Sequence, residues 1–330
     1  MARQIYQFFQ RLTTNGQEIP INNISDGAYS EFCSMDGPQL ILNLSDTDST
    51  LADDYGLVEG AVIDARFGHT YSGGDDYFAS SFTVVSAAPS GDHLVVEAME
   101  SGVFAVKQPE PAPRVFVGVT IKALLQAVFP GYTIEGATST DRVSYHVQVG
   151  ATVSAMLRRL SADTGHAIWV ARGVVYCIPF SELLNRADKE EPITLEYDGY
   201  QSKFPIQSYK PIYISAAGDR AAKRHYATWD TVGGVIAGGQ NAGSPRVMLP
   251  AATPRSLNEG VWRLDPCLDA TLFGNARYAA GMTVGVRLNR QSTESVLDES
   301  VPASQTFISV THRTVGHAYS CIASLGVPRK

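Results

Sequence analysis

VGATVSAMLRRLSADTGHAIWVARGVVYCIPF, residues 149–180, compresses a helix and a hairpin into one short stretch and carries no reactive group that its spacing singles out. Val153, Met156, Leu157 and Leu160 recur at the three- and four-residue intervals that line one helical face, with Arg158, Arg159 and Asp163 on the other. Thr152 can accept a hydrogen bond from a free amide at the helix start, and Gly165 supplies the left-handed residue that commonly ends one. Two runs rich in β-branched and aromatic residues follow, 167–170 and 174–178, joined by Ala171-Arg172-Gly173 and closed by Pro179. They read as a hairpin.

Upstream, Ile121, Leu124, Leu125, Val128 and Phe129 form a second apolar helical stripe that Pro130-Gly131 stops. With YTIE (132–135) and the alternating SYHVQV (144–149) this makes an α+β unit over residues 114–182. Before it, strand-like runs succeed one another between turn residues at 4–14, 28–35, 38–46, 60–68, 82–88 and 93–100, with no convincing helix. Residues 1–108 are therefore expected to form a first β-barrel or sandwich, and KQPEPAPR (107–114) a stiff connector. After SELLNRADKEE (181–191), a short polar helix or linker, strand signals return at 192–200, 210–218, 277–289, 305–315 and 318–325. Residues 190–330 are expected to form a second β-barrel, interrupted near 231–256 by a Gly-rich loop excursion. The fold class is mainly β with an α+β insertion.

The chain has 330 residues, 44% of them hydrophobic, enough for more than one core. Only 18% are charged, against roughly 25% in average soluble proteins, which favours extensive protein contacts. A net charge of -7 and a pI near 5.5 argue against a membrane or a specific nucleic acid as the main partner. No apolar run approaches the ~18 residues of a membrane span, and MARQIYQFFQRL lacks the plan of a signal peptide, so synthesis in a host cytoplasm is expected. Cys33, Cys177, Cys267 and Cys321 show no CxxC spacing and read as buried free thiols.

The tempting motifs are incomplete. Gly239 and Gln240 stand where a phosphate loop needs Lys and Ser or Thr. Asp46 and Asp48 have calcium-loop spacing, yet Leu51 and Leu57 replace the turn glycine and the bidentate glutamate. His312 and His317 lack a carboxylate partner at metal-site spacing and read as strand-end hydrogen bonders. No G-x-S-x-G elbow occurs. Tyr and Phe interleaved in the first β region fit a base-stacking platform or core packing, and the acidic balance favours the core. No catalytic, cofactor-binding or metal-binding residue is nominated, and no enzymatic activity or cofactor is expected.

As a whole, the helix-to-hairpin stretch MLRRLSADTGHAIWVARGVVYCIP resembles the middle domain of phage tail baseplate hub proteins, the late control protein family, whose fold is shared with the hub part of the type VI secretion spike. FTVVSAAPSGDHLVVEAME resembles the strands that complete the first hub barrel; YAAGMTVGVRLN and TFISVTHRTVGHAYSCIASL resemble the second, with Gly281, Val310 and His312 at matching places. The resemblance implies two tube-protein-like β-barrels flanking the α+β domain. It also implies a homotrimer in the virion tail baseplate, joining a six-fold tail tube or distal tail protein to a three-fold central spike and touching other baseplate proteins. The alternatives are a tail-associated cell-wall-binding module and a peptidoglycan hydrolase.

Overall fold

The computed structural model of the chain describes residues 8–68, 78–137, 140, 142–186, 191–197, 202–213, 225–238, 244–249, 257–258, 260, 262–288, 301–316 and 318–329. The first strands are β1 (Phe9–Thr14), β2 (Gln17–Ile19), β3 (Ile24–Phe32), β4 (Gln39–Ser45), β5 (Val62–Phe67), β6 (Phe78–Ser90) and β7 (His93–Glu100), with a one-turn helix α1 (Thr50–Asp53) between β4 and β5. They form because apolar side chains recur at every second position: in β4, Leu40, Leu42 and Leu44 are buried and Ile41 faces out.

The middle of the chain adds α2 (Ser101–Lys107), β8 (Arg114–Thr120), α3 (Ile121–Val128), β9 (Thr133–Glu135), β10 (Arg142–Val147), α4 (Val153–Thr164), β11 (His166–Ala171) and β12 (Val174–Pro179). The Thr152 hydroxyl accepts from Ala155 N–H at 3.2 Å at the start of α4, and Gly165 ends it at φ 66°. The remainder is β13 (Thr194–Tyr197), β14 (Ile206–Pro211), β15 (His225–Asp230), β16 (Gly234–Ala237), β17 (Arg246–Met248), β18 (Arg263–Phe273), β19 (Thr283–Leu288), β20 (Ser304–Val315) and β21 (Ala318–Arg329).

The outer parts of the chain share one 13-stranded sheet, in which β2-β1-β5-β6-β7-β4-β3 continues directly into β20-β21-β18-β14, with β19 on β20 and β13 on β19. The seam is β3 against β20, antiparallel from Ser309↔Phe32 to Val315↔Asp26. Each strand thereby satisfies an edge the other would leave open. The C-terminal strands also close on themselves, because Glu196 N–H donates to Phe204 C=O at 3.1 Å and bridges β13 to the start of β14. The N-terminal strands curl around a core of Phe8, Leu12, Tyr29, Leu42, Phe67 and Val96, and the C-terminal ones around Leu195, Leu272, Phe307, Val310 and Leu325. A third core, with Leu125, Leu157, Ile168, Val170 and Val175, fills the middle unit.

The structure departs from the sequence expectations at several places. Helix α2 was not anticipated; its Val103 and Val106 belong to the middle core, so that unit starts ahead of the Pro-rich connector. Of the strand expected at 210–218, residues 210–211 end β14 (Ile206–Pro211) and 214–218 lie outside the described residues; of the one expected at 277–289, residues 277–282 are not strand, Thr283–Leu288 is, and 289 lies outside the described residues. Strand β18 was missed because Pro266 and two aspartates argue against a sheet interior. Pro266 is tolerated there because the β18–β21 register shifts between Pro266 and Leu268. Within 231–256, residues 234–237 and 246–248 are not loop: they pair with β15 in a separate three-stranded sheet, after a turn in which Asp230 accepts from Val232 N–H at 2.8 Å and Gly233 N–H at 2.6 Å. Gly239, Gln240 and His317 lie outside the described residues.

Candidate functional site

The hairpin of the opening stretch has a two-residue turn, Arg172-Gly173, with both residues at positive φ, 52° and 77°. That turn is the primed kind whose twist matches the flanking strands. Its strands are buried on both faces. Ile168, Val170, Val175 and Cys177 face the middle core, whereas Ala167, Trp169, Ala171 and Ile178 face a junction completed by Cys33, just past β3, and Ala280, in the loop before β19. Tyr176 stacks on Trp169 at 4.7 Å between ring centroids. Gly281, at φ 78°, lies so close to the Trp169 ring that any side chain there would overlap it.

The tip of the hairpin carries the one charge of that turn into this junction. Arg172 Nε donates to Glu31 Oε1 at 2.7 Å, Nη1 to Ala276 C=O at 3.0 Å and Nη2 to Tyr278 C=O at 2.6 Å. Its guanidinium lies 4.2 Å from the centre of the Phe78 ring. Glu31, with its side chain wholly buried, also accepts from the Tyr29 hydroxyl at 2.8 Å and from Ala280 N–H at 2.9 Å. Each nitrogen of the guanidinium and each oxygen of the carboxylate has a partner, the condition under which a buried ion pair is tolerated. Thus β3, the middle hairpin and the loop before β19 meet in one polar knot. Farther out, Arg158 of α4 pairs with Asp36 at 2.9 Å and Lys107 Nζ donates to Asp36 C=O at 2.8 Å.

His312 lies beside this knot and not at a strand end. It is fully buried in β20, with Nδ1 2.7 Å from the Tyr319 hydroxyl and Nε2 3.0 Å from Tyr278 C=O, and its ring stacks on Phe8 at 4.5 Å. Cys321 Sγ is 3.3 Å from His312 Nδ1, yet burial pushes this thiol up to about 12, so the pair offers no thiolate near neutral pH. Burial likewise pushes Cys33 and Cys177 up to about 12, and all four cysteines are free and buried. Val310 is a core residue of the C-terminal half. Asp46 Oδ1 accepts from Leu51 N–H at 3.0 Å, which fixes the turn into α1. Among the described residues no group of three or more His, Cys, Asp or Glu is placed to hold a metal ion. The aromatics of the N-terminal half, Phe8, Phe9, Tyr29, Phe67 and Phe82, are core.

Of the residues singled out in the sequence, Gly281 and His312 are brought to the junction; Glu31 and Arg172, its polar centre, were not nominated. The signal for Glu31 was a carboxylate in an inward-facing series with Gly27 and Tyr29. The arrangement ties three parts of the chain together and, among the described residues, brings no acid, base and nucleophile into one cleft.

No protein-family model matches the sequence, and no curated protein does. Among solved structures the chain is similar to the tail protein from Neisseria meningitidis MC58, with a TM-score of 0.64, 11% identity and 97% of each chain covered. It is similar to the 43 kDa tail protein of prophage MuSo2 from Shewanella oneidensis, with a TM-score of 0.59, 10% identity and coverage of 97% of this chain and 98% of that one. A component of the E. coli type VI secretion system, itself similar to tail proteins of bacteriophage T4, matches with a TM-score of 0.57, 10% identity and coverage of 97% and 77%. The chain therefore has the fold shared by phage tail proteins and type VI spike-related proteins.

Proposed function

We propose that the protein is a structural subunit of a phage or phage-like tail, a baseplate hub that adapts a six-fold tube to a three-fold spike as a homotrimer. The observation that carries this reading is the fold shared end to end with tail proteins, over 97% of both chains in one instance. The double curled sheet supports it physically: two β halves per chain, each wrapped around its own core, would let three chains offer six β units to a tube while keeping three-fold symmetry toward a spike. A junction whose buried ion pair is hydrogen-bonded on every nitrogen and carboxylate oxygen suits a part that bears load and performs no chemistry. In this reading the protein is not an enzyme, resides in the virion tail, and meets tube, spike and other baseplate proteins.

Native mass spectrometry or sedimentation of the full chain is expected to give three times 35.6 kDa, alone or with tube and spike proteins. A strict monomer in every mixture would remove the hub reading. Peptidoglycan turbidity is expected to stay constant on incubation with the pure protein; clearing abolished by one carboxylate substitution would replace the structural reading with a hydrolase.

A further inference from the structure

Charge is divided unequally along the chain. Residues 12–106 contain 15 of the 33 acidic residues and one of the 26 lysines and arginines, Arg66. The fold uses part of this imbalance internally, through Arg158–Asp36 at 2.9 Å, Arg172–Glu31 at 2.7 Å and Arg313–Asp26 at 2.7 Å, all with bases from outside the segment. One end of the N-terminal half is left unserved. Asp46 N–H donates to Asp92 C=O at 2.9 Å and so joins the turn after β4 to the turn before β7. Farther along β6, Gly60 N–H donates to Val84 C=O at 2.9 Å and Val84 N–H to Ala61 C=O at 2.8 Å, which holds the loop before β5 against β6. Asp48, Asp53, Asp54 and Glu59, on the segment between β4 and β5, and Asp92, on the turn before β7, are exposed, and none forms an ion pair among the described residues. Next to Glu59 lie three valines, Val58, Val62 and Val85, exposed by 50%, 44% and 43%.

The opposite character appears on the small sheet of the C-terminal half. Its register pairs Trp229 with Val235, Ala227 with both Ala237 and Met248, and His225 with Arg246. Partners in register share a face, so Trp229, Val235, Met248 and Arg246 lie on one side. Trp229 is 67% exposed, Met248 49% and Val235 47%, and Arg246 is exposed with no ion pair among the described residues. Trp, Met and Arg around an apolar centre is the composition of an interface core.

We infer that this face of one copy docks onto the acidic-rimmed valine patch of the next copy. The inference rests on the ring reading above and names the surfaces that meet in it. A closed three-fold ring joins two different surfaces at every contact. A chain that carries a basic apolar face on one half and an acidic apolar face on the other has the complementary pair such a contact needs. The same pair disfavours contact between like halves, where carboxylate would face carboxylate.

The test uses the full chain at rising concentration, followed by sedimentation and by tryptophan emission. Trp229→Ala, Glu59→Arg and Arg246→Glu are each expected to weaken self-association about tenfold or more, the effect of losing one anchor. The Glu59→Arg/Arg246→Glu double variant is expected to recover most of the loss, and emission from Trp229 to shift to the blue on association. Circular dichroism identifies any variant that fails to fold, and Val235→Ser then serves as a second probe of the same face. If the wild type associates and every one of these variants associates equally well, the inference is overturned and the ring reading stands. If the wild type shows no association, alone or with tube and spike proteins, both fall.

Discussion

At the scale of single residues the molecule is governed by what happens when charge or backbone strain is enclosed. Glu31 and Arg172 stabilise each other only as a pair: removing one leaves the other buried and uncompensated, which typically costs roughly 3–5 kcal/mol. Arg172→Met is therefore expected to lower the stability measured by urea unfolding by about that amount, whereas Glu31→Leu/Arg172→Met recovers part of it. Two glycines separate strain from collision. Gly173 has open space around it, so Gly173→Ala carries only the left-handed backbone cost of about 1–2 kcal/mol. Gly281→Ala adds overlap with the Trp169 ring and is expected to destabilise more, with loss of the Trp169–Tyr176 near-ultraviolet dichroism. Cys33, Cys177 and Cys321, their thiols raised to about 12 by burial, are expected to resist thiol reagents at pH 8 until the chain unfolds.

At the scale of elements, β11 is a strand with no outward face. Its six residues are all buried because one side closes the middle core and the other closes the junction with the great sheet. This is why its sequence reads as a continuous apolar run and not as an alternation. Helix α2 shows a different device. Glu100 caps it by accepting from Val103 N–H at 2.9 Å and also receives the Tyr132 hydroxyl. Burial raises the Glu100 carboxyl, and the bonds from Tyr132 and Val103 pull it back only in part. A carboxyl raised in the folded state binds its proton more tightly there than in the unfolded chain. Its contribution is fully present below the unfolded carboxyl value and is lost as pH rises through the raised one. Glu100→Gln, which keeps an acceptor for Val103, is expected to flatten that fall in a series of urea unfolding curves from acid to neutral pH.

At the scale of the whole molecule, the shared sheet and the Arg172 knot make independent unfolding of the parts costly. Strand β20 belongs to the C-terminal half yet pairs along β3 of the N-terminal half, and the middle hairpin is pinned to both. Tryptophan emission and far-ultraviolet dichroism are expected to report one coincident urea transition in the wild type. In Arg172→Met the two are expected to separate, as the middle unit, which contains Trp169, loosens ahead of the sheet. Coincident curves in that variant would show that the sheet seam alone couples the halves.

The sequence by itself determined many local elements of this protein: helices α3 and α4 of the middle unit, the hairpin with its turn, and most strands of the N-terminal half. Their signals are short-range, carried by periodicity, capping residues and positive-φ glycines. Strand β18 escaped because its Pro266 is excused only by a bulge against β21, a partner more than fifty positions away. The sheet of β15, β16 and β17 escaped because Gly-rich segments take their conformation from tertiary pairing and not from intrinsic preference. What only the tertiary structure decided is the joining of the halves through β3 and β20 and the meeting of Glu31 with Arg172, 141 positions apart. The alternation of β3 turns Glu31 inward with Gly27 and Tyr29, but nothing local names the arginine that it receives. That pairing arises when the chain brings an opposite charge and two further hydrogen-bond donors, the Tyr29 hydroxyl and Ala280 N–H, to the same buried carboxylate.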